Sequence, residues 1–323
     1  MNSKLDQKRI TIFLAITFAI AWGVSLIIYL TGGIQDSPVI IPELQLTLAL
    51  ILTAGLVMWA PALGNILTRI ITNEGWTNTY LRPRIKRGWP YWLAAWFLPG
   101  LLTLFGMGIF FLLFPQNFDS SVTKIQELLA AQMPGVEINV WVIVAAQTFQ
   151  AMLISPIVNS LFTFGEEFGW RGYLQPKLMP LGGRKAMLLM GLIWGVWHWP
   201  LILMGHNYGL DYPGAPFLGP LAMVWFCFVL GVFLGWVTLK GNSVWPAVIG
   251  HSAINGIASL GLLFIIGTPN PILGPSPAGI IGGVGFTIVA LLIFFSKNGL
   301  VESKPETAKE SQDSLSEEAI PST

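Results

Sequence analysis

Residues 10–30 read ITIFLAITFAIAWGVSLIIYL, a run of twenty-one residues without a single charged side chain. As an α-helix the run would be about 30 Å long, which matches the hydrocarbon core of a bilayer. A cleavable signal peptide has an apolar region of about 7 to 15 residues that ends in small residues, whereas this run ends in Ile28, Tyr29 and Leu30. The stretch therefore predicts a first membrane-spanning helix.

Apolar runs of similar length recur along the whole chain. Only 10% of the residues are charged and 54% are apolar, with a mean hydropathy of +0.67, whereas an ordinary soluble domain has about 25% charged residues. The sequence therefore predicts an all-α integral membrane protein with about eight transmembrane helices. The seven further spans are expected at 44–70, 90–114, 139–165, 186–204, 216–239, 245–266 and 277–296.

The basic residues predict the orientation of these spans. Of the seventeen Lys and Arg residues, sixteen fall in alternate connections or at the two chain ends, and only Lys124 falls in the opposite set of loops. The positive-inside rule then places both termini in the cytoplasm. The expected partners are membrane lipids, and nothing in the sequence indicates nucleic-acid binding. Within the connection 115–138, apolar residues at helical spacing favour either a short amphipathic helix on the outer surface or a plain ordered loop.

One polytopic domain is expected over residues 1–296, followed by a tail at 297–323 whose Ser, Glu, Lys and Pro content predicts disorder. The single cysteine, Cys227, lies inside an apolar run, so neither a disulfide framework nor a thiolate metal cluster is indicated.

Three short motifs place polar residues at membrane depth, where an ionisable side chain is costly unless it is paired or hydrated. Each motif pairs residues four positions apart, which share a helix face. The pairs are Glu167 with Arg171, directly after Glu166; Trp194 with His198; and His251 with Asn255. Three helices could therefore direct a carboxylate, two imidazoles and a carboxamide into one hydrated cavity, a set of groups suited to activating water.

Each residue also has a structural interpretation. The adjacent glutamates could be interfacial charges neutralised by Arg171, and each histidine or Asn255 could be a hydrogen-bonding residue between helices. The joint occurrence of the three motifs favours the functional interpretation.

In these residues the sequence resembles the CAAX prenyl endopeptidase family, also called the CAAX protease and bacteriocin-processing (CPBP) family, whose best-known type is the Ras-converting enzyme. The family pattern is E-E-x-x-x-R, then aromatic-x-x-x-His, then His-x-x-x-Asn or Asp, and it is matched across roughly residues 140–270. One departure is Trp194, where the family usually has Phe.

The resemblance implies an intramembrane endopeptidase of the prokaryotic cell membrane that hydrolyses a membrane-associated or lipidated protein or peptide. Glu166 would be the general base, His198 its partner, and His251 with Asn255 the groups that bind the oxyanion or the water. Glu167, Arg171 and Trp194 would have supporting roles. Glu166, His198 and His251 are also candidate ligands of Zn²⁺, although catalysis without a metal is preferred.

Other functions remain open at this point. The same polar residues could form a binding site or proton path in a transporter, or belong to an immunity or scaffold protein, and His198 with His251 could ligate a haem. No H-E-x-x-H or G-x-G-D motif of other intramembrane proteases is present in the sequence. The leading hypothesis places a cavity in the inner half of the bilayer, open toward the cytoplasm, and assigns His206 to a loop on the wrong side for this site.

Overall fold

Helices make up nearly all of the regular structure in the computed structural model, which describes residues 6–132 and 139–302. The protein is an all-α, multi-pass membrane protein. Its helices are α1 (Gln7–Leu30), α2 (Leu48–Ile71), α3 (Ile85–Leu113), α4 (Thr123–Gln132), α5 (Val140–Val158), α6 (Ser160–Gly169), α7 (Gly183–Leu203), α8 (Leu218–Gly241), α9 (Trp245–Ile257) and α10 (Val284–Phe295). A small hairpin of β1 (Val39–Ile41) and β2 (Leu46–Thr47) precedes α2.

Seven described helices are long and apolar enough to cross a bilayer. They match seven of the predicted spans, with α9 extended by a 3₁₀ segment at Leu260–Phe264. The predicted eighth span at 277–296 is helical only from Val284, and α10 has 12 residues, about 18 Å of helix. Proline and glycine are frequent between Pro275 and Gly283, and both residue types disfavour a longer helix.

The fourth span differs from its predicted bounds. Instead of continuing to Gly165, α5 ends at Val158, and a turn at Asn159 separates it from α6. A π-helical turn at Gln150–Ile154 and Pro156 precede the break, and both features are common causes of helix kinks. The glutamate pair therefore lies on its own short helix rather than at the end of a long span.

Most basic side chains lie at one end of the bundle, which we call the basic end. There, Glu74, between α2 and α3, accepts hydrogen bonds from Tyr173 at 2.8 Å and Lys177 at 2.5 Å, and lies 3.4 Å from Arg9 on α1. At the same end, Arg184 donates to the carbonyl oxygen of Phe294 at 2.8 Å, which brings the start of α7 to the last turn of α10. The first and last described helices thus have their outer termini at one end, as the even number of crossings predicted.

The opposite end, which we call the hairpin end, holds the β-hairpin and the connections after α3, α7 and α9. The predicted amphipathic helix is present as α4, with Ile125 buried and Leu128 exposed. Phe118, just before α4, forms a β-bridge with Ile265. The predicted tail at 297–323 lies almost entirely outside the described residues, so its disorder stays a prediction.

The core lies around α8, which is the most buried of the seven candidate spans. It packs mainly against α7, and both helices surround the polar residues of the three motifs.

Candidate active site

Two glycines fix the position of α6, the helix that carries the glutamate pair. A Cβ atom added at Gly165 would lie 2.7 Å from the carbonyl oxygen of Met58, and one at Gly169 would meet Pro61. Only glycine therefore permits this close approach of α6 to α2. The Asn65 amide of α2 donates to the carbonyl oxygen of Phe168 at 2.9 Å, so the register between the two helices is also fixed by a buried hydrogen bond.

Glu166 lies on the floor of a cavity. Its side chain is buried, and its Oε2 accepts a hydrogen bond of 2.9 Å from the indole Nε1 of Trp194 on α7. Within the described residues Oε1 has no hydrogen-bonding partner. One carboxylate oxygen is thus held by the protein, and the other is available to a water molecule.

Glu167 points away from the cavity and forms a buried cluster of charge. Its Oε1 lies 3.0 Å from Arg171 Nη1 and 2.8 Å from His251 Nδ1. The carboxylate oxygen can only accept, so it fixes the proton of His251 on Nδ1 and leaves Nε2 for the cavity. The predicted supporting pair therefore orients the predicted catalytic histidine of another helix.

Trp194 connects these groups. The guanidinium of Arg171 stacks on its ring at 4.4 Å, and the ring centroids of His251 and His198 lie 5.4 and 5.7 Å from its own. Its sequence motif predicted only an aromatic face, whereas the structure adds a hydrogen bond to Glu166 that phenylalanine could not form.

His198 is held by its own helix. Its Nδ1 lies 2.8 Å from the carbonyl oxygen of Trp194, and the Trp197 ring packs edge-on against it at 4.7 Å. Because a carbonyl can only accept, Nδ1 carries the proton and Nε2 has a free lone pair. Cys227, 3.6 Å from the same Nδ1, is a buried neighbour that the sequence did not connect with this site.

Helix α9 is joined to α6 by side-chain hydroxyl groups. Thr163 lies 2.6 Å from Ser252 and donates to the carbonyl oxygen of Val248 at 3.1 Å. The contact places His251 beside the glutamate pair, while Asn255, one turn later, is exposed and lines the cavity.

All four predicted catalytic residues line one cavity of about 820 Å³. The structure thus brings Glu166, His198, His251 and Asn255 to a common space, although they come from three helices. The remaining lining is mostly apolar. Most of it comes from the hairpin-end halves of α2, α6, α7, α8 and α9, and other parts from β2 and from residues 206–207 and 276–278; examples are Leu50, Phe162, Leu201, Met223 and Ile254.

The exposed lining of this cavity does not lie at the basic end, where the expected opening toward the cytoplasm would place it. Its floor is buried at Glu166 and His251, and its exposed lining residues, such as Leu50 and Asn207, lie toward the hairpin end. The cavity therefore opens away from the basic end. The prediction failed because the motifs fix which side chains meet, whereas the opening depends on which halves of the helices separate.

His206 lies in the loop after α7, as the sequence predicted, but it lines the same cavity as the catalytic candidates. The chain after α7 turns back through Gly205, whose φ is +96°, and His206 and Asn207 then line the cavity mouth. The sequence interpretation had excluded His206 from the site because it expected the cavity to open at the opposite end of the bundle, and both expectations were wrong.

The candidate Zn²⁺ ligands do not form a metal-binding arrangement. Across residues 6–132 and 139–302, no three His, Cys, Asp or Glu side chains are grouped so that they could hold one ion. The Nδ1 atoms of both histidines bond to protein acceptors, as the non-ligating nitrogens of zinc-bound histidines usually do, and Nε2 of each ring stays free. As the side chains stand, residues 6–132 and 139–302 therefore hold no preformed three-ligand metal site.

Comparisons with known proteins point to one family. Residues 141–257 match the family model described as Type II CAAX prenyl endopeptidase Rce1-like. The chain is also 33% identical over 92 residues to CAAX prenyl protease 2 of Methanococcus maripaludis, an alignment that covers 28% of this chain and 34% of the relative. The chain thus matches about a third of the length of that curated relative. The matched segment contains all three motifs, from Glu166 to Asn255, so residues 141–257 are similar to Rce1-like CAAX prenyl endopeptidases.

Proposed function

We propose that this protein is an intramembrane endopeptidase in which Glu166 activates a water molecule. The observation that carries the proposal is the geometry of Glu166: one oxygen is fixed by Trp194, and the other has no protein partner at the floor of a cavity. His198, His251 and Asn255 line the same cavity. The Rce1-like match supports a protease, and the geometry supports glutamate as the base.

In the proposed reaction, Oε1 of Glu166 takes a proton from a water molecule, whose oxygen attacks the carbonyl carbon of the scissile peptide bond. The lone pair on Nε2 of His198 orients the same water. The resulting tetrahedral intermediate collapses when the carbon–nitrogen bond breaks, and Glu166 returns its proton to the departing amine. The products are a carboxylate and an amine, and no group beyond water is consumed.

The oxyanion of that intermediate needs hydrogen-bond donors. The amide of Asn255 is one donor facing the cavity, and protonated Nε2 of His251 is another. The buried carboxylate of Glu167, bonded to Nδ1 of His251, stabilises the positive charge that such a protonated ring carries. Arg171 balances Glu167 when the ring is neutral.

The cavity lining supports a proposal for the substrate class. A volume of about 820 Å³ is at the upper end of the usual range for small-molecule pockets and is large enough for several side chains. Because the lining is mostly apolar, we propose a membrane-associated peptide substrate with an apolar or lipid-modified segment, as in the CAAX-like proteins of the family. Under the positive-inside rule, the opening at the hairpin end faces the non-cytoplasmic side of the membrane.

The test is cleavage of a peptide library by the purified protein in liposomes. Glu166→Gln keeps the shape of the side chain but removes the base, so we expect proteolysis to fall by at least about 10³-fold. Glu43→Gln is the matched control, because Glu43 is an exposed glutamate in the turn after β1 and lies outside the cavity. It should leave cleavage unchanged.

Cleavage retained by Glu166→Gln would refute the proposed base. Complete loss of wild-type activity on chelation, restored by Zn²⁺, would refute the metal-free mechanism. Proton-coupled transport without peptidase activity would instead support the transporter interpretation of the same polar cluster.

A further inference from the structure

A second, polar cleft lies next to the catalytic cavity. It has a volume of about 390 Å³ and is lined by α5 with its π-helical turn, by the end of α9 and by the 3₁₀ segment that follows α9. The polar lining side chains are Gln147, Gln150, Ser155 and Ser259. Ser259 also lines the catalytic cavity, so the two spaces adjoin.

The glutamines of this cleft lack partners although they lie in a membrane span. Gln147 and Gln150 are about 11 and 15 Å along α5 from Val140, and both are exposed. Over residues 6–132 and 139–302 neither side chain forms a hydrogen bond. A polar amide without a partner in hydrocarbon is costly, so an unidentified group that hydrogen-bonds them is expected.

Their spacing and chemistry indicate what that group is. Residues three apart lie on the same helix face, so both amides point into the cleft, and each primary amide offers two donor hydrogens and one acceptor oxygen. A peptide group presents the complementary N–H and C=O. In addition, π-helical turns such as Gln150–Ile154 are frequent at functional sites.

We propose that this cleft binds the unwound backbone of the substrate next to the scissile bond. A peptide in a bilayer satisfies its backbone groups by forming a helix, and it must lose those hydrogen bonds before a peptide bond can be attacked. Gln147 and Gln150 then replace the lost bonds, and Ser259 lies where the bound segment enters the catalytic cavity. This inference rests on the proposed function and adds how a membrane-embedded substrate is held.

A second copy of this chain is the other possible occupant, since glutamine also joins helices across interfaces. The substrate is favoured because the cleft adjoins the catalytic cavity at Ser259, whereas a dimer contact needs no such continuity. The oligomeric state therefore becomes an outcome of the test.

The experiment compares two substrates in phosphatidylcholine–phosphatidylglycerol vesicles. One is a synthetic single-span peptide of about 20 apolar residues that contains the best cleavage site from the library, and the other is a short water-soluble peptide with the same site. The variant is Gln147→Met/Gln150→Met, which keeps the side-chain length and removes the hydrogen-bonding groups. Thr148→Val is the control, because Thr148 lies on the same helix outside the cleft. Its hydroxyl group donates to the carbonyl oxygen of Val144 in that helix.

For the single-span peptide, kcat/KM should fall about ten- to a hundredfold in the double variant, as expected for two lost hydrogen bonds. For the short peptide it should change less than about threefold. Equal effects on both substrates, or no effect on either, would overturn the proposal, as would a shift of the variant from dimer to monomer. If the wild-type protein cleaves neither peptide, the proposed protease function itself is refuted. That result differs from one in which the wild type cleaves both peptides and the double variant behaves like the wild type, which refutes only the role of the cleft.

Discussion

Replacing Trp194 by phenylalanine tests whether its indole group positions the base. The hydrogen bond from Nε1 to Glu166 Oε2 is 2.9 Å long and buried, and its acceptor is a carboxylate. Hydrogen bonds to charged groups contribute about 1.5–3 kcal/mol, which corresponds to roughly a 10- to 150-fold effect on rate. Phenylalanine keeps an aromatic face toward Arg171 and His251, so we expect the loss in kcat rather than in KM.

The assay is steady-state cleavage of the best library peptide in liposomes. Trp199→Phe is the matched control, because it lies on the same helix and loses an indole hydrogen bond of 3.3 Å to the Pro220 carbonyl, outside the cavity. Its kcat should stay within about twofold of the wild type, and thermal unfolding of both variants should be compared. A Trp194→Phe protein with wild-type kcat, alongside an inactive Glu166→Gln protein, would refute the reasoning.

Two further predictions concern ion pairs. Glu167→Leu leaves the buried Arg171 charge uncompensated and should destabilise the fold by about 3–5 kcal/mol. In a thermal-unfolding assay, the double variant Glu167→Leu/Arg171→Met should lose less stability than Glu167→Leu alone. Additive losses of stability would contradict the ion-pair reasoning. At the basic end, burial opposes ionisation of Glu74, but hydrogen bonds from Lys177 and Tyr173 outweigh it and lower the pKa of Glu74 below its ordinary value. The stability that ionised Glu74 contributes to the fold is thus present above about pH 4.5 and is lost as the pH falls through the lowered pKa. Glu74→Gln should therefore reduce the free energy of unfolding by about 1 kcal/mol at pH 7 and by less at pH 3. An equal loss at both pH values would contradict this prediction.

Much of the fold could be predicted from the sequence because the bilayer restricts it strongly. The apolar run at residues 10–30 is α1 within a few residues, since a spanning helix must satisfy its own backbone. The fourth span was predicted too long, although Pro156 and Asn159 were visible signals of the break that the structure shows.

The site could be predicted only in part. Spacing of four residues placed His198 and His251 on helix faces that line the cavity. The contacts between helices could not be predicted, because the Trp194–Glu166 and His251–Glu167 bonds join residues 28 and 84 positions apart. Nothing in local periodicity encodes such pairs, and the same holds for the return of His206 to the cavity mouth.

The direction of the cavity mouth determines which reagents can reach the floor in an intact cell. Because the exposed lining residues lie toward the hairpin end, we expect a polar, membrane-impermeant compound to reach Glu166 from that end and not from the basic end. Adding such a compound to one side of sealed vesicles at a time therefore distinguishes the two ends of the bundle by their access to the cavity floor.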